Sequence, residues 1–215
     1  MDCNSEMVQG PDDPVIDVEG LTAGFGETTV LENVNFKVFR GEILCIVGGS
    51  GCGKSTLLKH MIGLIRPVAG RIRVGSDDIA AVDDERLNII RKGIGVLFQS
   101  DALFGSMTLG ENVALPLSHF TGISSDTARL IVRMKLGMVN LAGYENHYPA
   151  ELSGGMRKRG GLARAMVLDP QILFFDEPSA GLDPINSAEL ETQIAQLQDE
   201  LDHFNAHCQI NFELN

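Results

Sequence analysis

The chain has 215 residues, of which 44% are hydrophobic and 21% charged, and this composition excludes wholesale disorder and suits one sizeable α/β core rather than two full-size domains. An excess of 29 Asp and Glu over 17 Lys and Arg gives a formal charge of −12, which disfavours nucleic-acid binding as the main function. Four cysteines without metal-ligand spacing indicate a reduced, cytoplasmic setting, and since no apolar run approaches the ~20 residues that span a bilayer, any membrane contact is expected through a partner.

The first third of the chain is predicted to alternate strands with turns, after a loose polar tail over residues 1–13. Strands are predicted at 15–18, 34–38, 43–47 and 71–75, and a helix begins near Leu57. The run at 43–47 is wholly apolar and is therefore predicted to be buried. Phe25 belongs to the stretch 21–26, which its glycines mark as a loop.

A phosphate-binding pattern, G-x-x-x-x-G-K-[ST], lies between the strand at 43–47 and the helix that follows it. Its residues are Gly48, Gly49, Ser50, Gly51, Cys52, Gly53, Lys54, Ser55 and Thr56. The glycines leave backbone N–H groups free to surround phosphate oxygens at the positive end of a helix. Lys54 is predicted to reach the β- and γ-phosphates of ATP, and the Ser55 hydroxyl to ligate Mg²⁺. A chance glycine-rich turn is the alternative, and the flanking strand and helix argue against it.

The rest of the chain is predicted to place a helical insertion between two buried strands. A helix beginning near Asp83 leads into a strand at 94–98, and Gln99 follows that strand. Residues 107–168 contain no convincing strand. A helix capped at 124–126 is predicted there, with one face formed by Leu130, Met134 and Met138.

Two acidic residues, Asp176 and Glu177, directly follow an apolar strand predicted at 172–175, and a helix is predicted after them at 187–201. A carboxylate at the end of a strand beside a phosphate loop can hold Mg²⁺, which is the role predicted for Asp176. Glu177 is then placed to polarise the attacking water, either as the catalytic general base or as the group that orients the water. Alone, such a pair is more often a solvated strand end, so this prediction depends on the phosphate loop.

A second candidate phosphate cradle is the run Leu-Ser-Gly-Gly-Met at 152–156. The hydroxyl of Ser153, the bare backbone of Gly154 and Gly155 and a helix dipole could all point at an anion. An ordinary helix N-terminus capped by Ser153 is the alternative. Both interpretations stay open at this point.

Taken in order, these patterns resemble the motif set of ABC-transporter ATPase subunits. The matching residues are the phosphate loop, Gln99, Leu-Ser-Gly-Gly at 152–155, Phe-Phe-Asp-Glu-Pro at 174–178 and Ser-Ala-Gly-Leu-Asp at 179–183. Within that superfamily the chain most resembles the ATPases of Mla-type, Mce-associated phospholipid transporters. This second resemblance lies in residues 98–104, 111–117 and 148–151, and in Met156 where most ABC ATPases have Gln.

The resemblance implies an α/β fold: a P-loop NTPase core of ABC ATPase type with an antiparallel β subdomain and an inserted helical subdomain at about 107–168. The ATPase domain is expected to cover residues 14–201. Residues 202–215 are expected to form an atypical C-terminal end.

Roles for further residues are also implied by the resemblance. Phe25 would stack on adenine, with a core-facing Phe as the alternative, and Gln99 would sense Mg²⁺ and the attacking water. Ser153, Gly154 and Gly155 would contact the γ-phosphate that a second copy holds, and Asp183 would face that copy's active site. ATP would therefore join a head-to-tail homodimer, which would drive a membrane permease from the cytoplasmic face of the membrane.

Two departures from the family pattern are expected to matter. The family's histidine should follow one more apolar strand, but His203 and His207 follow no β-branched run, and no strand is predicted after Leu201. The sequence therefore suggests that the chain is truncated or out of frame beyond about Leu201, which would impair turnover. Gly160 and Gly161 each cost on the order of 1 kcal/mol relative to Ala, which predicts a soft helix after the Ser153 segment.

The predicted function is a Mg-ATP-hydrolysing transport subunit with phospholipid as the cargo. An ABC ATPase for another cargo is one alternative, because permease and binding proteins select what is carried. A nucleotide-binding module with little or no turnover is another, and binding without hydrolysis would identify it.

Overall fold

The computed structural model describes residues 13–25, 28–99, 103–202 and 208–213, which fall into two compact units. One unit holds the described residues up to Arg91 together with 208–213, and the other holds those from Lys92 to 202. In chain order the elements are β1 (Ile16–Phe25), β2 (Thr28–Val38), β3 (Ile43–Val47), α1 (Lys54–Met61), β4 (Ala69–Val74), β5 (Asp77–Asp78), α2 (Asp84–Lys92), β6 (Ile94–Leu97), α3 (Leu109–Phe120), α4 (Ser125–Met138), a 3₁₀ turn (Pro149–Glu151), α5 (Gly154–Ala165), β7 (Ile172–Asp176), α6 (Pro184–Asp202) and β8 (Cys208–Glu213). The predicted tail up to residue 12, His203 and His207 lie outside the described residues.

An antiparallel sheet in the order β2-β1-β4-β5 belongs to the first unit. Ile16 at the start of β1 pairs with Val38 of β2 on one side and with Val74 of β4 on the other. All three side chains are buried, as are Val18 and Ile72, so alternate residues of these strands line one apolar face. The predicted antiparallel β subdomain is therefore confirmed.

The first strand is longer than the sequence predicts. Residues 21–25, which were predicted to form a loop, belong to β1. β1 continues to Phe25 with shifts of register between Val18 and Leu21, and again before Gly24. A Cβ at Gly24 would collide with the carbonyl of Thr28, so the glycine allows the two strands to approach at their hairpin. Gly24, which helped to suggest a loop, marks an irregularity within the strand.

The apolar run at 43–47 forms the predicted strand β3, but its predicted burial is wrong. Ile43 is 47% exposed and Val47 is 54% exposed, while Leu44 and Ile46 are half-buried. One face of the strand is therefore packed and the other is not. An apolar run identified the strand but did not establish burial on both faces.

A strand also forms beyond Leu201, where the sequence predicts none, so that expectation is wrong. β8 runs parallel to β3, with Ile43 opposite Gln209 and Val47 opposite Glu213. Ile210 of β8 is fully buried. Backbone hydrogen bonds hold a parallel pair together, so alternating apolar and polar residues suffice without a β-branched run.

The second unit combines two parallel strands with helices. β6 and β7 pair from Ile94 opposite Ile172 to Leu97 opposite Phe175, and every residue of β7 is buried. Every element described between 107 and 168 is helical, although the domain boundaries stay a prediction. The core joins the strands to the helices, and its largest fully buried members are Leu97, Leu109, Leu136 and Phe175.

Helix α4 forms where it is predicted, with Ser124 as its N-cap, but it packs by a different face. Leu130 is 67% exposed and Met134 is 56% exposed, whereas Val132 and Leu136 are buried. The i, i+4 pattern of apolar residues therefore identified the helix and not the face that contacts the core. No helix among the described residues is both long and apolar enough to cross a membrane.

Candidate functional site

The predicted phosphate loop forms a turn that leads directly into α1. The N–H of Cys52 donates to the carbonyl of Gly49 at 3.3 Å, and the N–H of Leu57 donates to that of Gly53 at 2.8 Å. Gly51 and Gly53 have φ angles of 77° and 103°, in the left-handed region that glycine adopts without strain. The backbone thus takes the curled path that the sequence pattern requires.

The charge of Lys54 is held inside this loop. Its side chain is only 6% exposed, and its Nζ donates to the carbonyls of Gly48 at 2.8 Å and Gly49 at 3.1 Å. Ser55 and Thr56 follow it in the first turn of α1, and Thr56 is buried. A positive charge therefore lies within the turn that is predicted to surround a phosphate.

The N-terminus of α1 also favours an anion. Its N-cap is Gly53, no described side chain caps it, and no acidic residue lies in its first turn. The N–H groups of the first turn and the positive end of the helix dipole attract negative charge at such a position.

One side of the loop is packed and the other is open. A Cβ at Gly53 would lie 2.9 Å from both Val30 Cγ1 and Leu31 Cδ2 of β2, so only glycine fits there. A Cβ at Gly49 or Gly51 would meet no described heavy atom within 4 Å. The open glycines leave room for a ligand beside the backbone, while Gly53 fixes the loop against β2.

Asp176 and Glu177 lie at the end of β7, as predicted. Asp176 is 6% exposed and is the last residue of the strand. Glu177 has a φ of 48°, a left-handed conformation that costs a residue with a side chain about 1 kcal/mol or more. Its Oε2 accepts a hydrogen bond of 2.8 Å from Nε2 of Gln99. Two predicted site residues separated by 78 positions are thus in direct contact.

A residue that the sequence analysis did not single out also belongs to this cluster. Lys158 of α5 is 2% exposed, and its Nζ donates to the backbone carbonyl of Gln99. Sequence alone gave no signal for this contact, because a lysine in a helix rich in charged residues is usually solvent-exposed.

The stretch that begins at Ser153 forms the N-terminus of α5. Ser153 Oγ accepts from the N–H of Met156 at 3.2 Å and so caps α5, while its predicted contact with a phosphate stays a prediction. A Cβ at Gly155 would lie 2.5 Å from Oδ1 of Asn186, and one at Gly154 would lie 3.5 Å from Leu182 Cδ2. Gly155 therefore allows Asn186 to pack against the start of α5, whereas a Cβ at Gly154 would make an ordinary contact.

Asp183 lies in that same segment and caps α6. Its Oδ1 accepts from the N–H groups of Ile185 at 3.1 Å and Asn186 at 3.2 Å, and its Oδ2 accepts from the side-chain amide of Asn186. The hydrogen bond from the Asn186 side chain is the main reason why the pKa of Asp183 is lowered. Asn186 therefore touches both Gly155 and Asp183.

Phe25 cannot be assigned a contact, because its side chain lies outside the described residues. The metal-binding role predicted for Ser55, Gln99 and Asp176 suits Mg²⁺ in its chemistry, since all three can offer the hard oxygen atoms that this ion prefers. The described residues contain no group of three or more His, Cys, Asp or Glu side chains arranged to hold a metal. Such a donor set fits an ion that is bound mainly through a substrate's phosphates.

A family model described as ABC transporter matches residues 31–180. This range contains the phosphate loop, Gln99, the Ser153 segment, Asp176 and Glu177, and it ends just before Asp183.

Two curated relatives illustrate the family. The "Probable ribonucleotide transport ATP-binding protein mkl" of Mycobacterium leprae is 47% identical over 187 residues, which cover 87% of this chain and 54% of that protein. The "Intermembrane phospholipid transport system ATP-binding protein MlaF" of Haemophilus influenzae is 41% identical over 187 residues, which cover 87% of this chain and 71% of that protein. The chain thus spans about half the length of the first relative and more of the second.

Solved structures share the fold. The ATP-binding cassette MJ0796, in a dimeric post-hydrolysis state bound to ADP and Pi, has a TM-score of 0.81 at 30% sequence identity. The match covers 92% of this chain and 87% of the MJ0796 chain. The cbiO1 protein from Clostridium perfringens, part of the ABC transporter complex cbiONQ, has a TM-score of 0.82 at 28% sequence identity. The match covers 95% of this chain and 80% of the cbiO1 chain. The predicted P-loop core of ABC ATPase type is therefore confirmed, and the chain belongs to the ABC transporter family of ATP-binding proteins.

Proposed function

We propose that the chain binds Mg-ATP and hydrolyses it as the ATPase subunit of an ABC transporter. The observation that carries this proposal is the loop at 48–56, with the ammonium of Lys54 inside it and an open side at Gly49 and Gly51. Backbone N–H groups, a buried cation and a helix N-terminus together provide what a nucleotide's phosphates need.

Mg²⁺ would be held by the Ser55 hydroxyl, the Asp176 carboxylate and the side-chain oxygen of Gln99. When bound, it would neutralise the charge that develops on the transferred phosphate. The main task of Asp176 is then to present a fixed oxygen, which its burial at the end of β7 supports.

Glu177 is proposed to orient and deprotonate the attacking water. Glu177 directly follows β7 with a left-handed backbone, and the amide of Gln99 restrains one of its carboxylate oxygens. In the proposed reaction the carboxylate accepts a proton from water. A positioned carboxylate of this kind typically contributes about 10²–10⁴-fold to the rate.

A head-to-tail homodimer is proposed as the working state, with Ser153, Gly154 and Gly155 contacting the γ-phosphate held by the second copy. The dimeric state of the MJ0796 cassette supports this assembly. Loss of the γ-phosphate on hydrolysis would remove those contacts and let the dimer open, and that difference in affinity would drive a permease at the membrane.

Phospholipid is the cargo that we propose, supported by the MlaF relatives of Haemophilus influenzae and Escherichia coli. Ribonucleotide is the second candidate, favoured by the name of the 47% identical mkl protein. Reconstitution with the permease in liposomes would decide between them. ATP-dependent movement of a labelled phospholipid, with no movement of a labelled ribonucleotide, is expected, and the reverse result would replace the first candidate with the second.

Hydrolysis is tested with Mg-ATP on the wild-type chain, on Glu177→Gln and on the control Glu191→Gln, which changes an exposed carboxylate on α6. We expect Glu177→Gln to lower kcat by about 100-fold or more while nucleotide binding persists, and Glu191→Gln to behave like wild type. Nucleotide binding without turnover in the wild type would instead identify a binding module.

A further inference from the structure

We propose that Lys158 is a positioning residue: it holds the backbone of Gln99 so that the amide of Gln99 meets Glu177. The inference deepens the hydrolytic function proposed above and rests on it for its catalytic meaning. The geometric part of the inference depends on two hydrogen bonds, one from Lys158 to Gln99 and one from Gln99 to Glu177.

The burial of Lys158 shows that its position is specific. Lysine is almost never fully buried unless its ammonium has partners, because removing the charge from water is costly. Lys158 is nevertheless 2% exposed, and one of its partners is the carbonyl of Gln99, 59 residues away along the chain. A lysine that served only to solubilise α5 would extend into water instead.

The strands explain why Gln99 needs this additional support. Leu97 is paired with Phe175, so Gln99 and Glu177 each lie two residues beyond the last registered pair of β6 and β7. The sheet therefore brings their backbones to the same edge, but β6 ends at Leu97 and no longer fixes the direction of Gln99. The hydrogen bond from Lys158 supplies a fixed point directly on the carbonyl of Gln99.

The same contact links Gln99 to the helix that starts at Ser153. Gly155, Lys158 and Leu162 are spaced at i, i+3 and i+7 and are all buried, so they form the packed face of α5. A shift of α5 as a rigid element would therefore move the Lys158 ammonium and the carbonyl that it holds. Contacts made at Ser153 and the orientation of Glu177 are in this way mechanically connected.

The kinetic test uses Lys158→Met, which removes the donor while keeping most of the side-chain volume, and Lys158→Arg, which keeps a donor. Lys135→Met is the matched control. Among the described residues of the second unit, Lys135 is also almost fully buried, but its ammonium pairs with Asp169. We expect Lys158→Met to lower kcat about tenfold with KM changed less than about twofold, and Lys158→Arg to restore most of the rate. Lys135→Met is expected to lower thermal stability and to leave kcat within about twofold of wild type.

A double-mutant cycle separates positioning from general stability. If Lys158 acts through Gln99, then adding Lys158→Met to Gln99→Ala changes kcat by less than about twofold. Two losses that multiply would overturn the proposal, as would a Lys158→Met protein with wild-type kcat.

A second readout does not depend on turnover. The side-chain amide signal of Gln99 in NMR spectra of isotope-labelled protein, assigned with Gln99→Ala, is expected to move toward that of a solvent-exposed glutamine in Lys158→Met and not in Lys135→Met. An unchanged signal in Lys158→Met would overturn the positioning role. If the signal moves as expected in Lys158→Met but the wild type hydrolyses no ATP, the proposed function is refuted and the geometric inference is supported.

Discussion

Replacing Gly160 with alanine tests whether the glycines of α5 weaken this helix or allow it to pack. A Cβ at Gly160 would lie 2.5 Å from Cδ1 of Leu109 in α3 and 3.6 Å from Cδ1 of Leu103. Leu109 is fully buried, so its methyl group cannot move into solvent to make room. The added methyl group must therefore displace α3, α5 or the side chains between them.

Two opposing effects set the magnitude. Alanine stabilises a helix interior by about 1 kcal/mol relative to glycine. Overpacking a filled core costs about 1–3 kcal/mol, so we expect Gly160→Ala to lower the free energy of unfolding by up to about 2 kcal/mol. Gly137→Ala in α4 is the control, because a Cβ there would meet no described heavy atom within 4 Å. The helix-propensity gain at Gly137, near the end of α4, is no larger than at Gly160, so a Gly160→Ala protein that is less stable than Gly137→Ala reports the overpacking.

Urea unfolding of the two variants beside wild type measures these free energies, and equal m-values would confirm that the same transition is compared. In thermal unfolding each kcal/mol corresponds to about 2–4 °C for a chain of this size. Stabilisation of similar size in both variants would refute the close approach of α3 and α5, and the soft helix predicted from the sequence would be the better description.

Two further predictions concern the site. Cys52 is exposed, and its Sγ would lie 2.6 Å from a Cβ at Gly48, so the thiol lies beside the phosphate loop. Alkylation of Cys52 with N-ethylmaleimide is therefore expected to abolish ATP binding. The Cys52→Ser variant is expected to bind ATP and to resist the reagent. Inhibition that persists in Cys52→Ser would point to a different thiol, such as the exposed Cys45, and contradict this. Asn186→Ala is expected to raise the lowered pKa of Asp183 toward its usual range, because the main stabilising hydrogen bond to the carboxylate is lost. A carboxylate with a lowered pKa stabilises the fold above its unfolded pKa, and this contribution is lost as the pH falls through the folded pKa, so the variant should depend less on pH in the acidic range. NMR titration of Asp183 measures the pKa, and an unchanged value would refute the assignment to Asn186.

The phosphate loop could be predicted because all of its determinants are local. A strand, four glycines, a lysine and a helix follow one another within about two dozen residues, and each acts through its own backbone conformation or its immediate neighbours. Lys54 accordingly contacts Gly48 and Gly49, six and five residues away. The order of elements around the loop was predictable for the same reason.

The contacts that aim Glu177 could not be predicted, because they join residues distant in the sequence. Gln99 and Glu177 are 78 positions apart, and the partner that holds Gln99 is a lysine whose sequence context suggests an exposed residue. β8 was missed for a related reason: its pairing with β3 depends on a backbone ladder across the chain and not on local β-propensity.

Helix α5 is the element in which local preference and tertiary demand conflict most. It carries glycines at four of its twelve positions, which lower its stability as an isolated helix, and a lysine whose burial in the fold is costly without partners. Three of these residues make close contacts that favour their identity: Gly155 admits Asn186, Lys158 holds Gln99, and Gly160 admits Leu109. Local inconsistency of this kind is expected where function constrains the sequence. The position of α5 therefore affects both the segment that contains Asp183 and the residue that restrains Glu177. Substitutions on the buried face of α5 should for this reason change kcat more than they change the affinity for nucleotide.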